Sequence, residues 1–314
     1  MKTKSLLLMA IAALVAMANI SCGSDDEEVA RGDDPVTLPQ PEYAASAVSY
    51  EIPVSEVTTA DGASLTALNF TESGKAVVEV TTADNSKKYA TYDVTIDGSK
   101  YIITDEDGEQ VGVVETATAQ NSPRRASSTT SLMIYIEVTI PGLGTLTFQT
   151  AAPVSATKVA ETIAATNNTA NIARTWTVKT MKLVLEGDVS LAKTEHSGNL
   201  KVFADAAQEE GANLTASEMA ALSKYIKYVT LDKTGMFAIE YLYGGSEACT
   251  WSWADAAQTM IKLNLRVNTE FGNKFLADNS FIHIDLNPSG CVFTLNTTIT
   301  GSKSYKATMT MVLE

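Results

Sequence analysis

The sequence is poor in the residues that build metal centres and acid–base sites. It has only two histidines, His196 and His283, and three cysteines among 314 residues. A zinc site needs three or four nitrogen, sulfur or carboxylate ligands at workable spacing, and neither histidine has such neighbours in the sequence. Glycine-rich phosphate loops and a nucleophile elbow are also missing. We therefore expect no metal, no cofactor and no enzymatic activity.

Basic residues are scarce as well. The chain has 23 Lys and Arg against 37 Asp and Glu, a formal net charge of −14. Nucleic-acid binding requires lysine and arginine concentrated on one surface, so nucleic acid is excluded as a partner. The apolar run Leu6–Ala18 is too short to cross a bilayer as a helix, which takes about 20 apolar residues.

The amino terminus has the pattern of a secretory signal peptide. Lys2 and Lys4 precede the apolar run, and the acidic stretch Ser24–Glu28 follows it. A short charged head before an apolar segment of this length is typical of such signals. A buried amino-terminal helix does not fit, because the run has no polar face. Residues 1–21 are therefore predicted to be a signal peptide.

The segment Asn19-Ile20-Ser21-Cys22 resembles the lipobox of bacterial lipoproteins, although Asn19 replaces the usual leucine. The resemblance implies a lipid on Cys22, and more than one acyl chain gives stable membrane attachment. Ser24–Glu28 resembles the export signal of Bacteroidota surface lipoproteins, and it also fits a solvated acidic spacer. We expect a lipid-anchored protein of the outer membrane, exposed at the cell surface, with residues 22–42 as a flexible tether.

The rest of the chain consists of short runs of Val, Ile, Thr, Tyr and Phe between Gly, Asn, Asp and Ser, which predicts antiparallel strands and hairpins. The predicted strands are Ala45–Val54, Leu65–Phe70, Lys75–Thr81, Lys88–Ile96, Lys100–Thr104, Gln110–Glu115, Leu132–Thr139, Gly144–Gln149 and Trp176–Val184. The predicted helices are Ser155–Ala165, Leu200–Gln208 and Ala216–Tyr225, and Ala117–Ser131 is predicted to be an exposed loop. The fold class is mainly β, with antiparallel barrel or sandwich units and a few short helices.

An internal repeat indicates two related β domains in tandem. Phe70–Glu79 matches Leu231–Glu240 at an offset of 161 residues, and Leu286–Phe293 has the same pattern. Short periodic patterns are weakly specific, so a chance likeness between hairpins is the alternative. The excess of acidic residues is larger in the first half. These observations predict a domain at 43–152 and a second one at 153–314.

The second half resembles the lipocalin-like domains of Bacteroidota lipoproteins. The resemblance rests on Ala173–Val178, which contains Trp176, and on the hairpin Leu231–Ile239, and it covers about residues 156–314. It implies a closed or nearly closed barrel that can enclose an apolar ligand.

Aromatic residues alternate along two successive predicted strands, and alternation places each set on one face. The candidate ligand pocket consists of Trp176, Phe237, Tyr241, Tyr243, Trp251 and Trp253. An ordinary aromatic core is the alternative, because such residues are most often structural. Cys249 and Cys291 are either a disulfide, which an exported protein can keep, or two small buried thiols.

Two functions follow from these expectations. The first is binding of an apolar or glycan-like ligand in a barrel-like domain. The second is a structural or adhesive role, as a fimbrial-type subunit or a protein-interaction module. Membrane attachment through the lipid is common to both.

Overall fold

The computed structural model describes residues 37–39, 47–117, 127–159, 161–187, 191–196, 226–242, 244–264, 281–300 and 304–314. The predicted signal peptide, Cys22 and the predicted helices Leu200–Gln208 and Ala216–Tyr225 lie outside this part of the chain. Of the predicted tether, only residues 37–39 are described. Leu38 is buried there, so this end of the segment packs against protein instead of solvent.

Within the described ranges, no helix combines the length and the hydropathy needed to cross a membrane.

The regular structure is almost entirely strand, which confirms the prediction of a mainly β fold. The strands of the first half are β1 (Val48–Glu51), β2 (Ser64–Phe70), β3 (Lys75–Thr81), β4 (Lys87–Asp97), β5 (Lys100–Thr104), β6 (Gln110–Ala117), β7 (Ser127–Ile140), β8 (Gly144–Gln149) and β9 (Val154–Val159). Those of the second half are β10 (Thr175–Gly187), β11 (Leu191–His196), β12 (Ile226–Leu231), β13 (Met236–Tyr241), β14 (Ser246–Trp253), β15 (Met260–Asn264), β16 (Phe281–Asn287), β17 (Gly290–Thr300) and β18 (Ser304–Leu313). The helix of the described residues, α1, spans Asn167–Ile172, and its N-cap Thr166 accepts a hydrogen bond from the Thr169 amide.

The chain divides into two compact units. The barrel unit comprises Gln40–Trp176 and Ile226–Trp251, and the C-terminal unit comprises Met1–Pro39, Thr177–Tyr225 and Ser252–Glu314. The predicted boundary between residues 152 and 153 differs from this division, because the segment Ile226–Trp251 belongs with the first half of the chain.

Eight of the described strands close a barrel in the barrel unit. Strands β1 to β7 pair in sequence order, each with the next. Strand β9 then pairs with both β7 and β1 and so closes the barrel, and every pairing is antiparallel. The prediction of a helix at Ser155–Ala165 is therefore wrong over residues 155–159, which belong to β9, because tertiary pairing overrides local propensity there. The predicted loop Ala117–Ser131 is wrong at its end, because β7 already begins at Ser127 and pairs there with β9.

The interior of the barrel is filled by side chains. Phe70 and Tyr101 stack with ring centroids 4.0 Å apart, and Tyr50 meets both rings edge-on at 6.2 Å. Eight strands leave an interior just wide enough for side chains to fill. Other buried members of this cluster are Leu65, Leu68, Val78, Val80, Ile103, Val114, Leu132, Ile136 and Phe148.

In the C-terminal unit, six described strands form one antiparallel sheet in the order β11–β10–β18–β17–β16–β15. Its buried residues alternate along the strands, as a sheet with one covered face requires. They include Met181, Ile261, Ile282, Ile284, Phe293, Leu295, Met311 and Leu313.

Candidate functional site

The aromatic residues that the sequence singled out are mostly buried. The register of β13 and β14 places Phe237 opposite Cys249, so these side chains share one face, as alternation predicts. Trp176, Tyr241 and Trp251 are buried in the barrel unit, and Trp253 is half-buried in the C-terminal unit. Tyr243 lies outside the described residues.

Both buried indoles use their nitrogen within the protein. The Trp176 Nε1 donates to the Ile172 carbonyl oxygen at 3.1 Å, and the Trp251 Nε1 donates to the Asp232 carbonyl oxygen at 3.0 Å. An indole has a single N–H donor, so neither ring has one left for a ligand. The first bond fixes the end of α1, and the second fixes the turn between β12 and β13.

Cys249 and Cys291 form no disulfide, and each of them is buried. This corresponds to the second of the two alternatives stated for them. Burial and the nearby charge of Glu247 raise the pKa of the Cys249 thiol, so this cysteine behaves as a small apolar residue.

Sequence reasoning missed the surface on which β12 and β13 dock against the outside of the barrel. Val77 points outward from β3, and it packs in one buried cluster with Met236 and Ala238 of β13. Alternation alone predicts an exposed side chain at this position, because its neighbours Ala76 and Val78 face the interior. The fully buried outward valine therefore marks a covered face of the barrel.

Ion pairs surround this apolar contact. The Lys75 ammonium lies 2.7 Å from Asp93 and 3.6 Å from Glu240, and the Lys227 ammonium lies 3.0 Å from Glu106 and 3.9 Å from Glu240. Burial raises the pKa of Glu240, and the two lysines oppose that effect. The carboxylate is thus held between two cations in a mostly water-excluded place, where Coulomb interactions are strong.

The ring of Tyr228 lies between the same two lysines. The ammonium nitrogens of Lys75 and Lys227 are 4.8 Å and 5.1 Å from its centroid. Both distances fall within the range of cation–π attraction. These contacts order the lysine side chains and so help to fix the pairing of β12 with its neighbours.

Asp232 is the most deeply buried carboxylate of the docking surface, with 1% of its area exposed. Its Oδ1 accepts hydrogen bonds from the Met236 amide at 2.9 Å and from the Thr234 hydroxyl at 2.7 Å. Its Oδ2 is buried and has no hydrogen-bond partner among the described residues. Burial raises the pKa of Asp232 to about 6, against the lowering effect of those hydrogen bonds.

The turns of the two sequence repeats have the same hydrogen bonds. The Lys75 amide donates to the Thr71 hydroxyl at 2.9 Å, and the Met236 amide donates to the Asp232 carboxylate at 2.9 Å. In return, the Thr71 amide donates to the Lys75 carbonyl and the Asp232 amide donates to the Met236 carbonyl. Side chains of different chemistry thus occupy one structural role, as the repeat predicts.

The glycines of these turns are equivalent too. Gly74 and Gly235 have φ of 74° and 88°, a conformation that costs a residue with a side chain energy. The Gly74 carbonyl accepts from the Val94 amide at 2.8 Å, and the Gly235 carbonyl accepts from the Trp251 amide at 2.7 Å. The two repeats therefore share a hydrogen bond that joins the glycine of each turn to the second strand after it, β4 in the first repeat and β14 in the second.

Among the described residues, no group of three or more His, Cys, Asp or Glu side chains is arranged to hold a metal ion.

Comparisons with known proteins give no family. No protein-family model matches the chain, and no curated protein matches it. Two solved structures show weak likeness. A transferrin-binding protein B variant from Haemophilus parasuis, a vaccine antigen, has 7% identity and a TM-score of 0.20, over 88% of this chain and 77% of that one. A DUF3598-family protein of unknown function from Nostoc punctiforme has 7% identity and a TM-score of 0.18, over 85% of this chain and 94% of that one. TM-scores this low carry no argument about fold or function.

Proposed function

We propose that the chain is a lipid-anchored protein of the cell envelope, exposed at the surface, that acts by binding through the outside of its β-barrel and not by catalysis. The proposed localisation rests on Lys2 and Lys4, on the apolar run that follows them, and on Cys22. The mode of action rests on one structural observation, the packed interior of the eight-stranded barrel.

The packed interior supports a structural or adhesive role over storage of a ligand inside that barrel. Leu65, Val78 and Ile136 are fully buried in its core. The rings of Phe70 and Tyr101 stack there, and Tyr50 meets both of them edge-on. Interiors packed in this way have few voids larger than a water molecule. An apolar or glycan-like ligand would need to displace these side chains, so the partner is proposed to bind on the outer surface.

The experiment begins with the full chain, expressed with labelled palmitate in a Gram-negative host that has the lipoprotein pathway. We expect label in the wild-type protein and none in the Cys22→Ala variant, which should leave the membrane fraction or accumulate there unprocessed. Label in the variant would contradict the anchor.

Native mass spectrometry of the mature chain in detergent then tests the mode of action. We expect the mass of the lipidated chain without a retained small molecule, and ladders of multimers or complexes with surface components at higher concentration. A stoichiometric small ligand that survives purification would favour the pocket of aromatic residues over our proposal.

A further inference from the structure

Equivalent positions of the two repeats contact each other. The Lys233 ammonium donates to the Glu72 carboxylate at 2.7 Å, and the two residues are 161 positions apart. The offset of the sequence repeat is also 161. Each residue is therefore the counterpart of the other in its own turn.

The same self-pairing occurs at two further places on the docking surface. Val77 and Ala238, which are equivalent by the same offset, pack in one cluster. The third place is a backbone pairing, in which Tyr89 of β4 lies opposite Ser246 of β14 in antiparallel orientation.

Tyr89 and Ser246 are not 161 residues apart, but they occupy equivalent positions in the strand pairing of the two repeats. Tyr89 lies opposite Glu79 in β3, and Ser246 lies opposite Glu240 in β13. Glu79 and Glu240 end the two matching sequence segments. The shorter connection in the second repeat explains why the offset changes there.

Self-pairing of equivalent positions is the property of a two-fold axis. In an isologous contact, residue i meets residue j and j meets i, and a residue on the axis meets its own counterpart. Three such contacts in one surface indicate that the two hairpins are related by a local two-fold within a single chain. The repeats therefore meet as the two halves of a dimer would.

The two repeats carry opposite charges where they meet at the two-fold axis. Glu72 is an acid and its counterpart Lys233 is a base, with side chains 8% and 23% exposed, so solvent screens them only partly. If two first repeats paired, Glu72 would face a second Glu72, and two second repeats would place Lys233 against Lys233. Like charges at such a contact repel each other and suppress wrong pairings.

A second contact has the same bias. Glu240 forms an ion pair with Lys75. The counterpart of Lys75 in the second repeat is Met236. A pairing of two second repeats would place Met236 where Lys75 stands, and Glu240 would lose one of its two cations in a buried place.

We infer that Glu72 and Lys233 are pairing-specificity residues, which select docking of the two unlike repeats within one chain over docking of like repeats between two copies of the chain. The interaction surface is the outer face of β3 with the turn before it, and the excluded partner is a second copy.

The test uses the full mature chain in detergent, with the double variant Glu72→Gln/Lys233→Gln and the charge-swapped variant Glu72→Lys/Lys233→Glu as its matched control. Each protein is unfolded in urea and refolded over a range of concentrations, and its mass is measured by size-exclusion chromatography with light scattering. We expect the neutral variant to dimerise with a dissociation constant lower than that of wild type by about tenfold or more. The swapped variant should behave as wild type.

A neutral variant whose dimerisation equals that of wild type would overturn the inference. A double-mutant cycle on stability gives a second criterion, because Lys233→Glu should destabilise more than Lys233→Met, and Glu72→Lys should rescue Lys233→Glu but not Lys233→Met. Equal effects of the two Lys233 substitutions, or no rescue, would mean that the charges of Glu72 and Lys233 do not act on each other in the folded chain, and the proposed selectivity would lose its basis.

Discussion

Asp232 gives the sharpest quantitative test of the docking surface, because its pKa of about 6 lies above the ordinary aspartate value of 3.8. A folded-state pKa above the unfolded one means that the folded protein binds the proton more tightly. The corresponding stability is fully present below pH 3.8, and it is lost as the pH rises through 6. The ionised carboxylate is thus a cost that the fold carries at neutral pH.

The size of the cost follows from the shift. A difference of roughly two pKa units corresponds to about 3 kcal/mol at pH 7, at 1.36 kcal/mol per unit. About half of that should already be present at pH 5, between the two pKa values. Asp232→Asn keeps an oxygen that can accept from the Met236 amide and from the Thr234 hydroxyl, but it cannot ionise. The amide that replaces the buried Oδ2 adds an offset that does not change with pH.

The assay is urea unfolding of wild type and Asp232→Asn at a series of pH values from 3.5 to 7.5, and the quantity of interest is the difference between their free energies of unfolding. We expect this difference to move by about 3 kcal/mol in favour of the variant as the pH rises. Asp232→Thr is a matched control, since Thr71 makes the same amide contact in the first repeat, and its pH dependence should follow that of Asp232→Asn. Parallel curves for wild type and Asp232→Asn would refute the reasoning.

Two further predictions concern packing and backbone. Trp251→Ala should lower the free energy of unfolding by about 3–5 kcal/mol, because the buried ring also caps the Asp232 carbonyl, whereas the half-buried Trp253→Ala should cost clearly less; equal losses in denaturant unfolding would contradict this. Gly74→Ala should cost about 1–2 kcal/mol for its positive φ. Gly235→Ala should cost more, because an added Cβ would lie 3.0 Å from the Thr162 hydroxyl and 3.3 Å from the Trp251 carbonyl. Equal thermal shifts for the two alanine variants would be inconsistent with that contact.

The positions of many strands were predictable from the sequence, because side chains alternate along strands and turns use a few residue types. The predicted bounds of Lys75–Thr81, Lys100–Thr104 and Gly144–Gln149 agree with β3, β5 and β8. The prediction of a helix failed over residues 155–159, where a sequence with mixed propensity forms part of strand β9. The barrel is closed by the pairings of β9 with β1 and with β7, and the local sequence does not indicate either pairing.

The candidate site was predictable only in part. Alternation indicated that each aromatic set lies on one face of its strand, but it did not reveal that the Trp251 indole donates a hydrogen bond to the turn between β12 and β13. The ion pair of Lys233 with Glu72 joins residues far apart in the chain, and charged residues in turns are normally solvated. The repeat offset was the one signal that could have located this pair, had equivalent positions been tested for contact.

The barrel of residues 48–159 is a contiguous stretch of chain, whereas the strands that cover its outer face begin only at Ile226. A chain synthesised from its amino terminus therefore has the material for a closed barrel before the covering strands have been made. During that interval we expect Val77 to be an exposed apolar spot, and chains in this state are prone to associate. Lys75 and Asp93 lie beside this spot, and before β13 is in place we expect their charges to act as gatekeepers against association. We therefore expect the lysine that carries ion pairs in the finished protein to reduce association of the unfinished chain as well.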